Sequence, residues 1–409
     1  MTPIYLDHNA TTPLLPGVWE AMRAPTVEAF GNPASAHAAG RAARRALEDA
    51  RETVARLLGA YPDEVTFTSG ATEANNLAIF GSLKEPTPPA PLPVGKGEKT
   101  PHAPREVNGV QMPCSPFPSG RGVGGVGSAL EHPCVVEPLR RLEARGVPVE
   151  WLPVDSRGVI RWRAPAASAL ACVMLANHET GAVQPVRDIA LSLPPGARLH
   201  CDAVQAVGKL AVNFHALGAA TLTASAHKFG GPKGVGVLLV KRGTDLAPHT
   251  FGGHQQGGRR PGTEPVALAV GMAFALEVAV RNLDANRATL EAHRARFWNA
   301  LQRDCAPVVL NGPEIGATDV VPTTLNVSFP GCRADVLLMA LDLAGVACAT
   351  GSACSSGSLL PSPVLRAMGV PDEVLRSALR FSFAPSQTSE EIDEAARRVT
   401  ACVREVRGD

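Results

Sequence analysis

Aromatic side chains are scarce: they make up 4% of the 409 residues, and only two are tyrosine. That argues against a base-stacking platform for single-stranded nucleic acid. An excess of either charge is lacking too. Lysine and arginine number 39 against 38 acids, a formal net charge of +1, so no global field draws in nucleic acid or an anionic membrane. The longest apolar run, 266–276 and on past Glu277 to Val280, is too short and too interrupted to cross a bilayer and reads as a buried helix. The first residues, MTPIYLDHNATTP, carry neither a basic segment nor an apolar one, so the expectation is a cytoplasmic protein without a secretory signal. No CxxC or CxxH pair occurs, and the nine cysteines are an odd number. Both facts argue against structural zinc and a disulfide framework and for free thiols.

What is present suits two domains of ordinary size or one two-lobed enzyme. Residues 41–58 place Leu47, Ala50, Val54, Leu57 and Leu58 at helical spacing, and Gly59 supplies the stop. Strand candidates follow at 65-VTFT-68, 170-LACVML-175, 198-RLHCD-202, 220-ATLTAS-225 and 235-VGVLLV-240. Helical or turn-rich pieces separate several of them, as in a parallel sheet covered by helices. Ligand sites in such sheets gather at the carboxyl ends of the strands, and Thr72, Asn177, Asp202 and Lys228 follow strand candidates closely. After about residue 263 the texture becomes helix-rich (264–304), then alternates strand 323–329, helix 334–345, strand 377–383 and helix 388–406, a smaller α+β lobe. Residues 84–127 are rich in proline and glycine and are expected to be a loop, linker or disordered insert. Their 122-GVGGVG-127 matches GxGxxG formally, but no strand is evident before it, so a dinucleotide site is not inferred.

Three features point to an anionic cofactor held covalently. In 68-TSGATE-73 a strand runs into a helix start through Gly70, with hydroxyls at Ser69 and Thr72, and free N–H groups at a helix start bind phosphate. Any helix cap has the same look. In 200-HCDAVQ-205, Asp202 lies just past a strand, where it can hold a protonated heterocyclic nitrogen or simply cap a helix. In 225-SAHKFGGPKG-234, Lys228 sits at a strand end beside glycines. Burial there would favour the neutral amine that a Schiff base needs, whereas most lysines are on the surface. Lys233, in its Gly-Pro-Lys-Gly turn, is the more structural of the two. The histidines at 8, 37, 178, 200, 215, 249 and 254 fit no metal-ligand template, and no metal site is expected.

Ten blocks in one order carry a family resemblance: 5-YLDHNATTP-13, 31-GNPAS-35 followed by His37, 68-TSGATEANNLAI-79, 131-EH-132, 177-NHETGAVQP-185, 201-CDAVQAVGK-209, 225-SAHKFGGPKG-234, 260-RPGT-263, 351-GSACSSGS-358 and 379-LRFS-382. The chain resembles the cysteine desulfurases of the NifS/IscS type, class V aminotransferase-group enzymes of pyridoxal-phosphate fold type I. The resemblance implies an α/β large domain over 14–263, with a mainly parallel seven-stranded sheet flanked by helices and the insert at about 84–127. A smaller α+β domain would join 1–13 to 264–409. It also implies bound pyridoxal 5'-phosphate, a homodimer, L-cysteine as substrate and a sulfur-acceptor protein as partner, with no nucleic acid or membrane.

Carried over residue by residue, the resemblance has Lys228 bond the cofactor and move protons, and His132 stack on its ring and share in proton transfer. Asp202 would face the ring nitrogen, and Asn177 and Gln205 the phenolic oxygen. Ala71, Thr72, Ser225 and His227 would hold the phosphate together with Thr263 of the partner subunit. Arg380, with Asn177, would take the substrate carboxylate. Cys354, in the small-residue loop 349-ATGSACSSGS-358, would take the substrate sulfur as a persulfide, and a loop of such residues is expected to be mobile. A selenocysteine lyase or another class V enzyme fits the same blocks, and dispensability of Cys354 would mark it. A degenerate scaffold or binding protein is the reading from a different class, prompted by the long insert before His132.

Overall fold

The computed structural model describes residues 2–83, 106–107, 110–111, 123–165, 168–351 and 361–408. Its largest sheet has seven strands: β1 (Val65–Thr68), β2 (Val123–Ser128), β3 (Val149–Leu152), β4 (Ser168–Met174), β5 (Arg198–Asp202), β6 (Thr221–Ser225) and β7 (Gly236–Val240). They lie in the order β1-β7-β6-β5-β4-β2-β3. β7 is antiparallel to both its neighbours and the other pairs are parallel. β1 and β6 therefore point the same way, and their carboxyl ends share one edge with those of β2, β4 and β5.

The pleat divides each buried strand between two cores, because successive side chains face opposite ways. On β4, Leu170 and Cys172 join Ile79, Val135 and Leu139 under helices Ala71–Ser82 and Pro133–Glu143. Ala171 and Val173 face the other side with Leu47, Val54, Met272 and Leu276, from helices Ala38–Leu58 and Val266–Arg281. Val266–Arg281, which the sequence groups with the second lobe, thus packs on the large sheet.

One sequence expectation is corrected here. The proline- and glycine-rich insert was expected to run as loop to Gly127, but β2 begins at Val123 and is an interior strand, with Gly125 paired to Val149 and to Leu170. Close packing is the reason for its glycines. A Cβ on Gly127 would stand 2.6 Å from Leu139 Cδ1, and one on Gly124 2.6 Å from Val147 Cγ1. Helix Pro133–Glu143 needs that space, and the formal GxGxxG run is strand rather than phosphate loop. Gly127→Val is expected to destabilise the fold by roughly 1–3 kcal/mol through overpacking, read as a lower urea midpoint. An unchanged midpoint would refute this account of the glycines.

A second cluster brings Ile4 and Leu6 together with Phe297, Leu325, Val327, Phe381, Ile392 and Val399. It lies about an antiparallel sheet of Val309–Leu310, Thr324–Ser328 and Ala378–Ser382. Ile4–Tyr5 pairs parallel with Val346–Ala347, and the N-terminal segment then runs from this lobe toward the carboxyl edge of the large sheet. No single helix among the described residues is long and apolar enough to cross a membrane.

Candidate active site

A cavity of about 490 Å³ opens at that carboxyl edge. Nine residues singled out in the sequence line it: Ala71, Thr72, His132, Asp202, Gln205, Ser225, His227, Lys228 and Arg380. They come from the ends of β1, β2, β5 and β6, plus one strand of the smaller lobe.

At one side, helix Ala71–Ser82 starts at Gly70, whose φ of 154° and lack of a side-chain cap leave the first N–H groups turned to the cavity. A Cβ on Gly236 would lie 2.8 Å from Gly70 Cα, so the turn presses against β7 with no room for side chains. Ser225, His227, Lys228 and Lys233 line the same cavity as this helix start. Burial, aided by Lys228, Lys233 and Lys209, lowers His227 to about 4, so its ring is neutral. Uncapped amides, a hydroxyl and lysines make a cradle for a compact anion.

Across the cavity Asp202 ends β5 and is buried. Its Oδ1 accepts from Val204 N–H at 3.0 Å and its Oδ2 from Asn75 Nδ2 at 2.8 Å. That second bond fixes Asn75 with Oδ1 turned to His200 Nε2, 3.0 Å away. Burial holds His200 down to about 4, and a neutral ring carries one proton. Nε2 therefore donates to Asn75, and Nδ1 accepts from Thr221 Oγ1 at 2.9 Å. The relay leaves Asp202 as the acceptor at its end, suited to a positively charged N–H group.

His132 is the N-cap of Pro133–Glu143. Its Nδ1 accepts from Cys134 N–H at 3.2 Å, and Pro133 occupies the first helical position. Cys134 Sγ lies 2.9 Å from the same nitrogen and 3.0 Å from Asn75 Nδ2. Burial is the largest influence on His132 and lowers it, Lys228 and Arg380 adding to the effect against Asp202. Beneath it, Glu131 is wholly buried and held toward its protonated form, chiefly by burial. Its Oε1 accepts from Met174 N–H at 2.9 Å.

Lys228 projects from the short turn Ala226–Lys228, and its Nζ donates to the carbonyls of Asn9 and Ala10 at 2.6 and 2.9 Å. Asn9 Nδ2 in turn donates to His178 O and Thr324 Oγ1. Arg380, 1% exposed, shares the His178 carbonyl through Nη1 at 3.2 Å, and its Nη2 contacts Asp7 Oδ1 at 2.7 Å. Its buried Nε has no partner among the described residues.

Two other expected site residues lie outside this cavity. Asn177 is buried outside the cavity lining, its Oδ1 accepting from Glu179 N–H and Thr180 N–H and its Nδ2 donating to Leu130 O, so it shapes its own turn. Thr263 is exposed and does not line this cavity. Cys354 and its loop from 352 to 360 lie outside the described residues. Asn9, Asn75, Cys134 and Lys209 were not singled out in the sequence. Asn75 had a signal, a polar residue on the apolar side of a short helix, whereas Asn9 is recognisable only once the N-terminal segment is seen crossing the sheet.

Comparison with known proteins gives the same outline. Residues 4–89 and 120–395 match the family described as aminotransferase class-V, and the gap coincides with the insert. A cysteine desulfurase IscS of Dictyoglomus turgidum is 37% identical over 95% of this chain and 92% of its own. An IscS-like cysteine desulfurase of Mycobacterium tuberculosis is 37% identical over 98% and 97%. A solved structure titled as a NifS-like protein superposes with a TM-score of 0.82 at 30% identity, covering 98% of this chain and 99% of that one. The chain belongs to the aminotransferase class-V family, among the cysteine desulfurases of the NifS and IscS type.

Proposed function

We propose that the protein is a pyridoxal-phosphate-dependent cysteine desulfurase that converts L-cysteine to L-alanine and leaves the sulfur on Cys354 as a persulfide. The observation that carries this reading is that Lys228, the uncapped start of Ala71–Ser82 and the carboxylate of Asp202 line one cavity. Pyridoxal phosphate, when bound, supplies the electron sink that lets bonds at the substrate's α- and β-carbons break.

The residues divide the remaining work. Ala71, Thr72, Ser225 and His227 receive the phosphate, Asp202 faces the ring nitrogen, Gln205 the phenolic oxygen and His132 the ring face. Lys228 binds the cofactor covalently and carries protons, and Arg380 receives the substrate carboxylate with its fork. The Cys354 thiolate attacks the substrate sulfur. A new S–S bond forms as the substrate's carbon–sulfur bond breaks, and the electron pair left on carbon takes a proton to give alanine. The persulfide then passes to an acceptor protein, in a role such as iron–sulfur cluster assembly or tRNA thiolation.

Incubation of the cofactor-loaded protein with L-cysteine is expected to add one sulfur to the Cys354 peptide in a mass spectrum and to release alanine. Cys354→Ala should keep the cofactor's visible absorbance and lose nearly all alanine release. Full alanine release from that variant would overturn the mechanism. We also infer a homodimer, in which Thr263 completes the phosphate site of the partner. Trp19, Phe30 and Phe251, large apolar side chains that are 67%, 75% and 88% exposed in the single chain, support it. Light scattering should return twice the chain mass, and a monomer at micromolar concentration would refute it.

A further inference from the structure

Lys209 has no part in the scheme above, yet its amine lies among the groups that carry it. It is half-buried, and its Nζ donates to Gln205 Oε1 at 2.6 Å and to Asn9 Oδ1 at 3.2 Å. No carboxylate is within ion-pairing distance of it among the described residues. The charged groups that face it are Lys228 and Arg380, and His8 and His227 are the titratable neighbours that feel its charge. A cation set among cations and amides is costly, because desolvation and like charge both oppose it. Something specific must be gained from the position.

The gain lies in the two amides. An ammonium has three donors and no acceptor, so its contacts settle which end of each amide is oxygen. Gln205 must then present Nε2 on its other side, where it donates to the backbone carbonyl of Asn9 at 3.0 Å. That carbonyl is the one on which Lys228 Nζ rests at 2.6 Å. Gln205 Nε2 and Lys228 Nζ are therefore neighbours on a single acceptor, held there from behind by Lys209.

We propose that Lys209 is a positioning residue: it locks the Gln205 side chain with its N–H donor beside Lys228, aimed at the phenolic oxygen of the bound cofactor. The proposal rests on the cofactor reading given above. A donor held on a phenolic oxygen favours its deprotonated form, so the bound cofactor's visible band reports the orientation directly.

The experiment is a pH titration of that band in the cofactor-loaded protein, with the cofactor's dissociation constant measured alongside. Lys209→Met is expected to raise the band's midpoint by about one pH unit, a tenfold change in the equilibrium, and Lys209→Arg, which keeps a donor, to restore most of it. Gln205→Leu should reproduce the shift, and the double variant should add nothing further, since both changes remove the same donor. Where Lys209→Met fails to fold, Lys209→Gln, which keeps the polarity but not the donor-only character, takes its place beside Gln205→Leu and should raise the midpoint likewise. An unmoved midpoint in Lys209→Met or Gln205→Leu, or fully additive shifts, would overturn the proposal. A wild-type protein that takes up no cofactor would overturn the reading beneath it, which is a different result from a coloured wild type with an insensitive Lys209→Met.

Discussion

Lys228→Ala is expected to abolish the visible absorbance of the cofactor-loaded protein and to lower L-cysteine turnover by about 10⁴-fold, the upper end of what one positioned acid–base group supplies. The effect is large because the proposed mechanism gives one amine two tasks, the covalent link to the cofactor and proton movement at the substrate carbon. Its position is strongly determined. The turn Ala226–Lys228 follows β6, and the carbonyls of Asn9 and Ala10 hold Nζ at 2.6 and 2.9 Å. Neither other lysine nearby can replace it. Lys233 is exposed on its turn, and Lys209 is committed to Gln205 and Asn9. Borohydride reduction should fix the cofactor on the Lys228 peptide of the wild type and nowhere in the variant. A small primary amine added in excess should restore part of the variant's turnover. A variant that keeps its colour and more than a tenth of wild-type turnover would remove Lys228 from the mechanism.

The groups legible in the sequence were those at the ends of strands with ordinary composition. β5 and β6 are short buried strands bounded by turn residues, and the chemically capable residues at or just past their carboxyl ends, Asp202 and Lys228, could be picked out by that position. The second tier was not legible, because its members meet only through the fold. Asn9 comes from the far end of the chain, and its amide is tied to Thr324 and Lys209, hundreds of residues away. Nothing local in 5-YLDHNATTP-13 marks that residue. β2 was hidden for another reason. Glycine is a poor strand former by backbone entropy, and the signal that rescues it, a helix packed within 2.6 Å of an imagined Cβ, exists only in three dimensions. β3 (Val149–Leu152) went unnoticed because it is a partly exposed edge strand with Glu150 in its middle. The apolar alternation that marks a buried strand is absent from it.

Arg380→Ala is expected to lower kcat/KM for L-cysteine by about 10²–10³-fold, with most of the loss in KM. Truncating one side of a buried, hydrogen-bonded charge pair costs roughly 2–5 kcal/mol, and each 1.36 kcal/mol is about tenfold. The guanidinium is among the largest fully buried side chains of the molecule, and it is held at two points. Nη1 is anchored on the His178 carbonyl and Nη2 on Asp7, while Nε is buried with no partner among the described residues. An arginine so fixed has lost its rotamer entropy before substrate arrives and presents a preset donor edge to a carboxylate. Lysine cannot reproduce that edge. Arg380→Lys keeps the charge and should recover no more than about a tenth of wild-type kcat/KM. The alanine variant also leaves Asp7 without its partner, so a stability loss of about 1–3 kcal/mol by urea unfolding is expected. Asp7 is 19% exposed, and water reaching it limits that penalty. The two effects separate cleanly, because an amino acid amide lacking the carboxylate should be a poor ligand for the wild type and should lose nothing more in Arg380→Ala. Equal losses for cysteine and its amide would mean that Arg380 holds the fold together and does not bind the substrate.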